Sequence, residues 1–149
     1  MICECRKMLE SDRDDVLNLM RTFYSSDAVF TNGNEKIFQA DFDNSVNNSP
    51  FLEGFVFLDK NKIIGYAMLA KSFSTEFGKE CIWIEDLYLI VNYRSLGIIP
   101  NFINFIKQLY PDKILRLEAE KENEHAIHVY EKTNFKILPY LEYYYLPEN

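Results

Sequence analysis

Cysteine, histidine, tryptophan and glycine are all scarce in this chain: 3, 2, 1 and 5 residues among 149. An odd cysteine count excludes a fully paired disulfide framework. Cys3 and Cys5 are spaced to share one strand face, which suits packing better than bridging. No second CxxC-like pair is present, and His125 and His128, expected on the exposed side of a helix, stand alone, so no metal site is expected. Basic residues are outnumbered, 16 Lys and Arg against 23 Asp and Glu, for a net charge of −7. Nucleic acid is therefore not an expected partner, since phosphate binding needs concentrated Lys and Arg. The same imbalance weakly favours a small cationic substrate. No apolar run reaches the roughly 18–20 residues that span a bilayer, so no membrane partner is expected. The start, MICECRKMLESDRDD, lacks the basic and apolar regions of a signal peptide, which places the expected location in the cytoplasm.

What is present is a core. Apolar residues make up 48% and aromatics 15%, in a length that suits one domain, residues 1–149. Ile2 to Met8 reads as a first strand. Ser11, with Asp14 three residues on, reads as the N-cap of a helix carrying Val16, Leu17, Leu19, Met20 and Phe23 at helical spacing. A short helix is predicted over Glu35–Val46. Gly54–Asp59 and Lys62–Ala70 flank Asp59-Lys60-Asn61, a hairpin signal because Asn tolerates the left-handed conformation. A polar connection, Ser72–Lys79, leads to Cys81–Val91, apolar on both faces as a central strand should be. Helix 98–109 then returns to a strand at Lys113–Ala119, parallel to the central one if the helix is a crossover. Asn123–Thr133 reads as a last helix with Asn134 as its left-handed C-cap. Phe135–Leu138 and Leu141–Leu146 read as closing strands. The fold class is α/β (α+β), a mixed and mostly antiparallel sheet flanked by helices with one βαβ unit.

That unit carries the candidate chemistry. Its helix begins in YRSLGIIP, residues 93–100, at the C-terminal end of the central strand. Free amides and the helix dipole there make an anion site; Arg94 could add a charge-assisted bond and Gly97 allows close backbone approach. Pro100 fits the first turn, where a missing N–H does no harm. Taken alone, these residues fit an ordinary strand-to-helix turn as well. Glu85 and Asp86 interrupt the apolar strand, and a carboxylate buried there is costly unless paired or used. Neighbours on a regular strand face opposite ways, so the two share a role only if a bulge intervenes.

The stretch IEDLYLIVNYRSLGII, Ile84–Ile99, resembles the acetyl-CoA-binding signature of the GNAT superfamily of N-acetyltransferases, a strand followed by Arg/Gln-x-x-Gly-x-Gly/Ala. Asn123, Ala126, Tyr130 and Phe135 within NEHAIHVYEKTNF resemble the family's later N-x-x-A-x-x-x-Y-x-x-x-G-F pattern. The two matches cover roughly a third of the chain, in the family's order. The resemblance implies direct acetyl transfer from acetyl-CoA to a primary amine. It places the pantetheine arm along Leu87, Leu89 and Val91, and the pyrophosphate on the amides of Arg94, Ser95, Leu96, Gly97, Ile98 and Ile99, with Asn123 and Ala126 nearby. Tyr130 matches the general acid for the leaving thiolate, and the amide of Leu89 the oxyanion donor. Glu-Asp at 85–86 also looks like the polyamine-acetylating branch; Glu85 is read as base and Asp86 as a substrate or structural contact.

Three positions depart from the pattern: Ile99 for Gly/Ala, Leu96 for a common basic residue, and Ser95 for a frequent Gly. Ile99 crowds the pyrophosphate unless it points into the core. The residues leave several substrates open: a polyamine-like or aminoglycoside-like molecule, a peptide N-terminus, or a lysine. They also leave open a GNAT-fold protein that binds a CoA-like ligand or a partner without catalysis. Homodimers are common in the family.

Overall fold

The computed structural model describes residues 3–148. One five-stranded sheet runs in the order β1 (Glu4–Lys7), β2 (Leu52–Asp59), β3 (Lys62–Ser74), β4 (Lys79–Leu89), β5 (Ile114–Leu117). All pairs are antiparallel except β4–β5, the parallel pair of the βαβ unit. The helices are α1 (Arg13–Tyr24), α2 (Glu35–Val46), α3 (Ile98–Leu109) and α4 (Glu124–Lys132). Among the described residues, no helix is long and apolar enough to cross a membrane. Ile2, expected to start the first strand, lies outside the described residues.

Each sheet face has its own core. On one, Val16, Met20 and Phe23 of α1 and Phe38 and Phe42 of α2 meet Val56, Tyr66, Met68 and Tyr88. On the other, Ile98, Phe102 and Ile106 of α3 meet Phe57, Ala67, Leu69, Ile82, Ile84 and Leu89. Cys3 and Cys5 pack against the second core, and all three cysteines are free. The β2–β3 hairpin closes through Lys60 and Asn61, both in the left-handed region at φ 48° and 67°, as a two-residue turn of matching twist demands. Asn34 caps α2 by accepting from the Ile37 amide at 2.9 Å. Asn134 adopts φ 68° just beyond α4, as its place in the sequence required.

Four expectations are corrected. Ser11 does not cap α1; it is exposed within a 3₁₀ turn, Glu10–Asp12. The N-cap position falls to buried Asp12, whose side chain makes no cap bond to α1 but accepts from the Leu9 amide at 2.8 Å and from both terminal nitrogens of Arg6. Arg6 of β1 thus anchors the start of α1 through a charged bidentate pair, a stronger tie than a hydroxyl offers. Second, half of the polar stretch Ser72–Lys79 is strand: β3 and β4 stay paired out to Ser74 and Lys79, leaving residues 75–78 as the turn. Third, the central strand ends at Leu89, and Val91 belongs to a short 3₁₀ turn, Val91–Tyr93. Fourth, Phe135–Leu138 and Leu141–Leu146 form no strand. Neither run has a ladder partner among the described residues.

Candidate active site

β4 pairs with β3 from Lys79 to Leu89 but with β5 only from Cys81 to Ile84. From Glu85 onward its second edge has no strand partner among the described residues. The departure coincides with a bulge: Met68 faces Asp86 and Leu69 faces Ile84, so Glu85 is the unpaired extra residue. Before it, Ile82 and Ile84 face the α3 core. After it, Leu87 and Leu89 do, while Asp86 and Tyr88 turn toward α1 and α2. The bulge turns Glu85 and Asp86 toward the same side of the sheet.

Their surroundings differ. Glu85 is exposed; Asp86 is 5% exposed and accepts from Tyr66 Oη at 2.7 Å and Tyr24 Oη at 2.8 Å. Burial pushes the Asp86 pKa up, and the two tyrosine bonds partly hold it down. Burial, then Asp86 and Glu142, raise Glu85. Two further carboxyls join them. Asp41 of α2 is pushed up to about 6 by burial, then by Asp86 and Glu85. Glu118, just past β5, is pushed up to about 7 by burial, then by neighbouring Glu142 and Glu85. Burial and mutual repulsion thus raise all four carboxyls, and an arriving cation would favour their ionised forms.

Asp41, Tyr24, Tyr66, Glu118 and Glu142 were not singled out from sequence. Asp41 could have been: it sits between Phe38 and Phe42 in the buried stripe of α2, where a carboxylate calls for a reason. Tyr66 in the run IIGYAMLA likewise asked for a hydroxyl partner.

The turn between β4 and α3 leaves donors free. Tyr93 donates to the Ile90 carbonyl, Arg94 to Val91, and Asn101 to Gly97. Among the described residues, the amides of Ser95, Leu96, Gly97, Ile98 and Ile99 have no such partner. The amide of Arg94 is spent on the turn, so it is removed from the expected cradle. The Arg94 side chain donates through Nε to the Leu89 carbonyl at 3.1 Å and lies 5.6 Å from the Tyr88 ring centre. Gly97 caps α3 at φ 80°, and a Cβ there would meet nothing within 4 Å, so the space over these amides is open. Ile99 packs against the α3 core, not over the amides. The Ile90 amide donates back to Ile64 at 2.9 Å, so strand alternation turns the Leu89 amide toward the unpaired edge.

Ser95 adopts φ 62°, a left-handed conformation that costs a residue with a Cβ roughly 1 kcal/mol. Ser95→Gly should therefore stabilise the protein by about 0.5–1 kcal/mol in urea unfolding. A loss of stability would show that the serine is held by something other than backbone geometry.

Asn123 caps α4 by accepting from the Ala126 amide at 3.2 Å. Tyr130 of α4 is half-buried, its ring edge-on to Phe135 at 6.0 Å, and its hydroxyl has no partner among the described residues. Burial raises its pKa, keeping the phenol protonated. The end of α4 is tied to α3 through Lys107, whose ammonium donates to the Thr133 carbonyl and lies 5.6 Å from the Phe135 ring centre. His125 and His128 are exposed on α4.

The fold has counterparts in solved structures. A possible acetyltransferase from Clostridium difficile 630 superposes with a TM-score of 0.83, at 20% identity over 100% of both chains. A predicted acetyltransferase from Clostridium acetobutylicum, solved with acetyl-CoA, gives 0.77 at 20% identity over 96% of both chains. AAC(6')-Iy, solved with the bisubstrate analogue CoA-S-monomethyl-acetylneamine, gives 0.79 at 13% identity over 99% of both chains. At such identities these likenesses speak for the fold. No functionally curated protein matches the chain. The sequence model described as "Acetyltransferase (GNAT) family" matches residues 14–135, which include β2 to β5, α1 from its second residue, α2 to α4 and every catalytic candidate. This chain belongs to the acetyltransferase (GNAT) family.

Proposed function

We propose that this protein transfers the acetyl group of acetyl-CoA directly to a primary amine on a small molecule carrying several positive charges, polyamine-like or aminoglycoside-like. The observation that carries this reading is the group of acids at the β4 bulge, Glu85, Asp86, Asp41 and Glu118, facing an edge that β5 leaves open. One cation would draw on one carboxylate; several carboxylates in one half-buried place suit a multiply charged amine. AAC(6')-Iy, of the same fold, was solved with an acetylneamine bisubstrate analogue, which agrees with that class.

The unpaired edge at Leu87 and Leu89 suits the amides of a pantetheine arm, and the free amides Ser95–Ile99 suit its pyrophosphate. The acetyl thioester supplies the electrophile. Glu85, exposed and with its pKa raised by burial and by Asp86, takes the proton of the attacking ammonium. The Leu89 amide faces the carbonyl oxygen as charge develops on it. As the new C–N bond forms and the C–S bond breaks, Tyr130 gives the thiolate its proton. Asp86, held by two tyrosines, fixes the strand and its field rather than exchanging protons. A binding protein without catalysis drew its support from a crowding Ile99; with that side chain against the core, the enzyme reading is preferred.

An acetyl-CoA consumption screen over monoamines, diamines, polyamines, aminoglycosides and a lysine peptide tests the proposal. Turnover should rise with the number of amino groups and fall with added salt. Consumption with the peptide alone would overturn the substrate class.

The acids also set a pH dependence. Asp41 is ordinarily near 3.8 and lies at about 6 here. A raised folded pKa means its contribution is fully present below the unfolded value and is lost as pH rises through about 6. Asp41→Asn should therefore match wild type near pH ~4 and exceed it by about 1–2 kcal/mol near pH ~7, after discounting for solvent screening. Urea unfolding at the two pH values checks this; a variant equally destabilised at both would show that Asp41 is a structural contact.

A further inference from the structure

Arg6, Arg13, Arg21 and Arg94 each donate to an oxygen of the chain, at Asp12, Glu10, Glu35 and Leu89. Arg116, half-buried on β5, makes no hydrogen bond or ion pair among the described residues. Its guanidinium lies instead over Trp83, the chain's one tryptophan, 4.5 Å from the ring centre. The two are register partners across the parallel β4–β5 pair. Ile82 and Ile84 face the α3 core, so alternation turns Trp83, and Arg116 with it, to the side that bears Glu85 and Asp86. Glu85 and Glu118 follow two residues later on their strands, about 7 Å further along.

Stacking occupies the flat face of a guanidinium and leaves its N–H groups, which radiate in its own plane, free to bond at the edge. Among the described residues no side-chain nitrogen is both sealed from solvent and unbonded, so these donors are open to a ligand. A fork held flat in advance fits a carboxylate through two parallel bonds. We propose that Arg116, spread on Trp83, receives a carboxylate of the acceptor, which therefore carries one acid group about 7 Å from the amine that reacts at Glu85. The assignment rests on the acetyl-transfer reading and narrows it. An α,ω-diamino acid such as lysine meets the demand: six bonds of about 1.5 Å carry its ε-nitrogen roughly 7 Å from the carboxylate carbon. Its α-ammonium then falls beside Glu118, the next residue on the same face. A phosphate fits less well, because a second negative charge would meet Glu85, Glu118 and Asp41.

Lysine and cadaverine differ by that carboxylate alone, and the fluorescence of Trp83, with no other tryptophan to mask it, reads binding without turnover. With CoA present, lysine should bind the wild-type protein roughly tenfold more tightly than cadaverine. In Arg116→Gln the preference should vanish or reverse, because only acids then face the carboxylate; Arg116→Lys should keep part of it. With acetyl-CoA, kcat/KM should follow the same ratios, and the product from lysine should carry its acetyl group on the ε-amine. Equal binding of the two amines by wild type overturns the proposal whether or not the variants fold. So does a preference that folded Arg116→Gln retains, or acetylation of lysine on its α-amine. Binding in the expected order without turnover of any amine would leave the carboxylate site standing and sink the transfer reading instead.

Discussion

Tyr130→Phe should lower turnover by roughly 10²–10³-fold while leaving acetyl-CoA affinity within a factor of about 2. The phenol stands at the end of α4 with no hydrogen-bond partner among the described residues, and burial keeps its proton on. Its ring makes the packing contact with Phe135, and phenylalanine retains that contact. The substitution therefore removes one proton and almost nothing else. A thiolate without a nearby acid is a poor leaving group, and only water remains to protonate it. Titration calorimetry with acetyl-CoA and steady-state kinetics separate binding from chemistry. Unchanged turnover would remove Tyr130 from the reaction.

Asp86→Ala should cost about 2–4 kcal/mol of stability, the largest single loss expected at the site. Two phenolic hydroxyls donate to this carboxylate, and Tyr66 is fully buried with nowhere else to turn. Truncation leaves both donors unsatisfied and opens a void between α1 and the sheet. Relief of a costly buried charge offsets part of the loss, which keeps the figure below that of a broken buried ion pair. Asp86→Asn keeps an acceptor and should lose about 1 kcal/mol. Because burial raises the Asp86 pKa, the wild-type advantage over Asp86→Asn should be widest in acid and shrink as pH rises through the folded pKa. Urea unfolding of both variants across pH measures this. An alanine variant as stable as wild type would mean that the tyrosines find other partners.

The legible parts of the sequence were those where local chemistry and burial agree. α2 occupies Glu35–Val46, the range its apolar spacing marks, and the Lys60-Asn61 turn and Asn134 take the left-handed conformations their residue types allow. The α3 entrance was legible because Gly97 and Pro100 have few other uses. Ser11 misled because neighbouring Asp12 is held by Arg6 across a strand-to-helix turn, a pairing that helix-cap spacing does not weigh. The closing strands misled because aromatic and β-branched composition reports strand tendency without reporting a partner. At the site, motif resemblance marked Tyr130 and the amides of Ser95–Ile99 as candidates, and a carboxylate in an apolar strand marked Glu85. Asp41, Glu118 and the two tyrosines arrive from separate elements, and their meeting is a fact of the fold, not of spacing.

Glu85 has a consequence for how β4 tolerates change. Its side chain packs against nothing in either core, so the strand accepts many residues there. Its backbone is dispensable to the ladder as well. Removing that single position would set Ile84 and Asp86 side by side opposite Leu69 and Met68, so the pairing would run on unbroken and every later residue would keep its face. Asp86 would still reach Tyr66, and Leu87 and Leu89 would still pack in the α3 core. Loops ordinarily absorb deletions and strands do not; here, mid-strand, a deletion would cost a bend and one carboxylate and leave both cores in place.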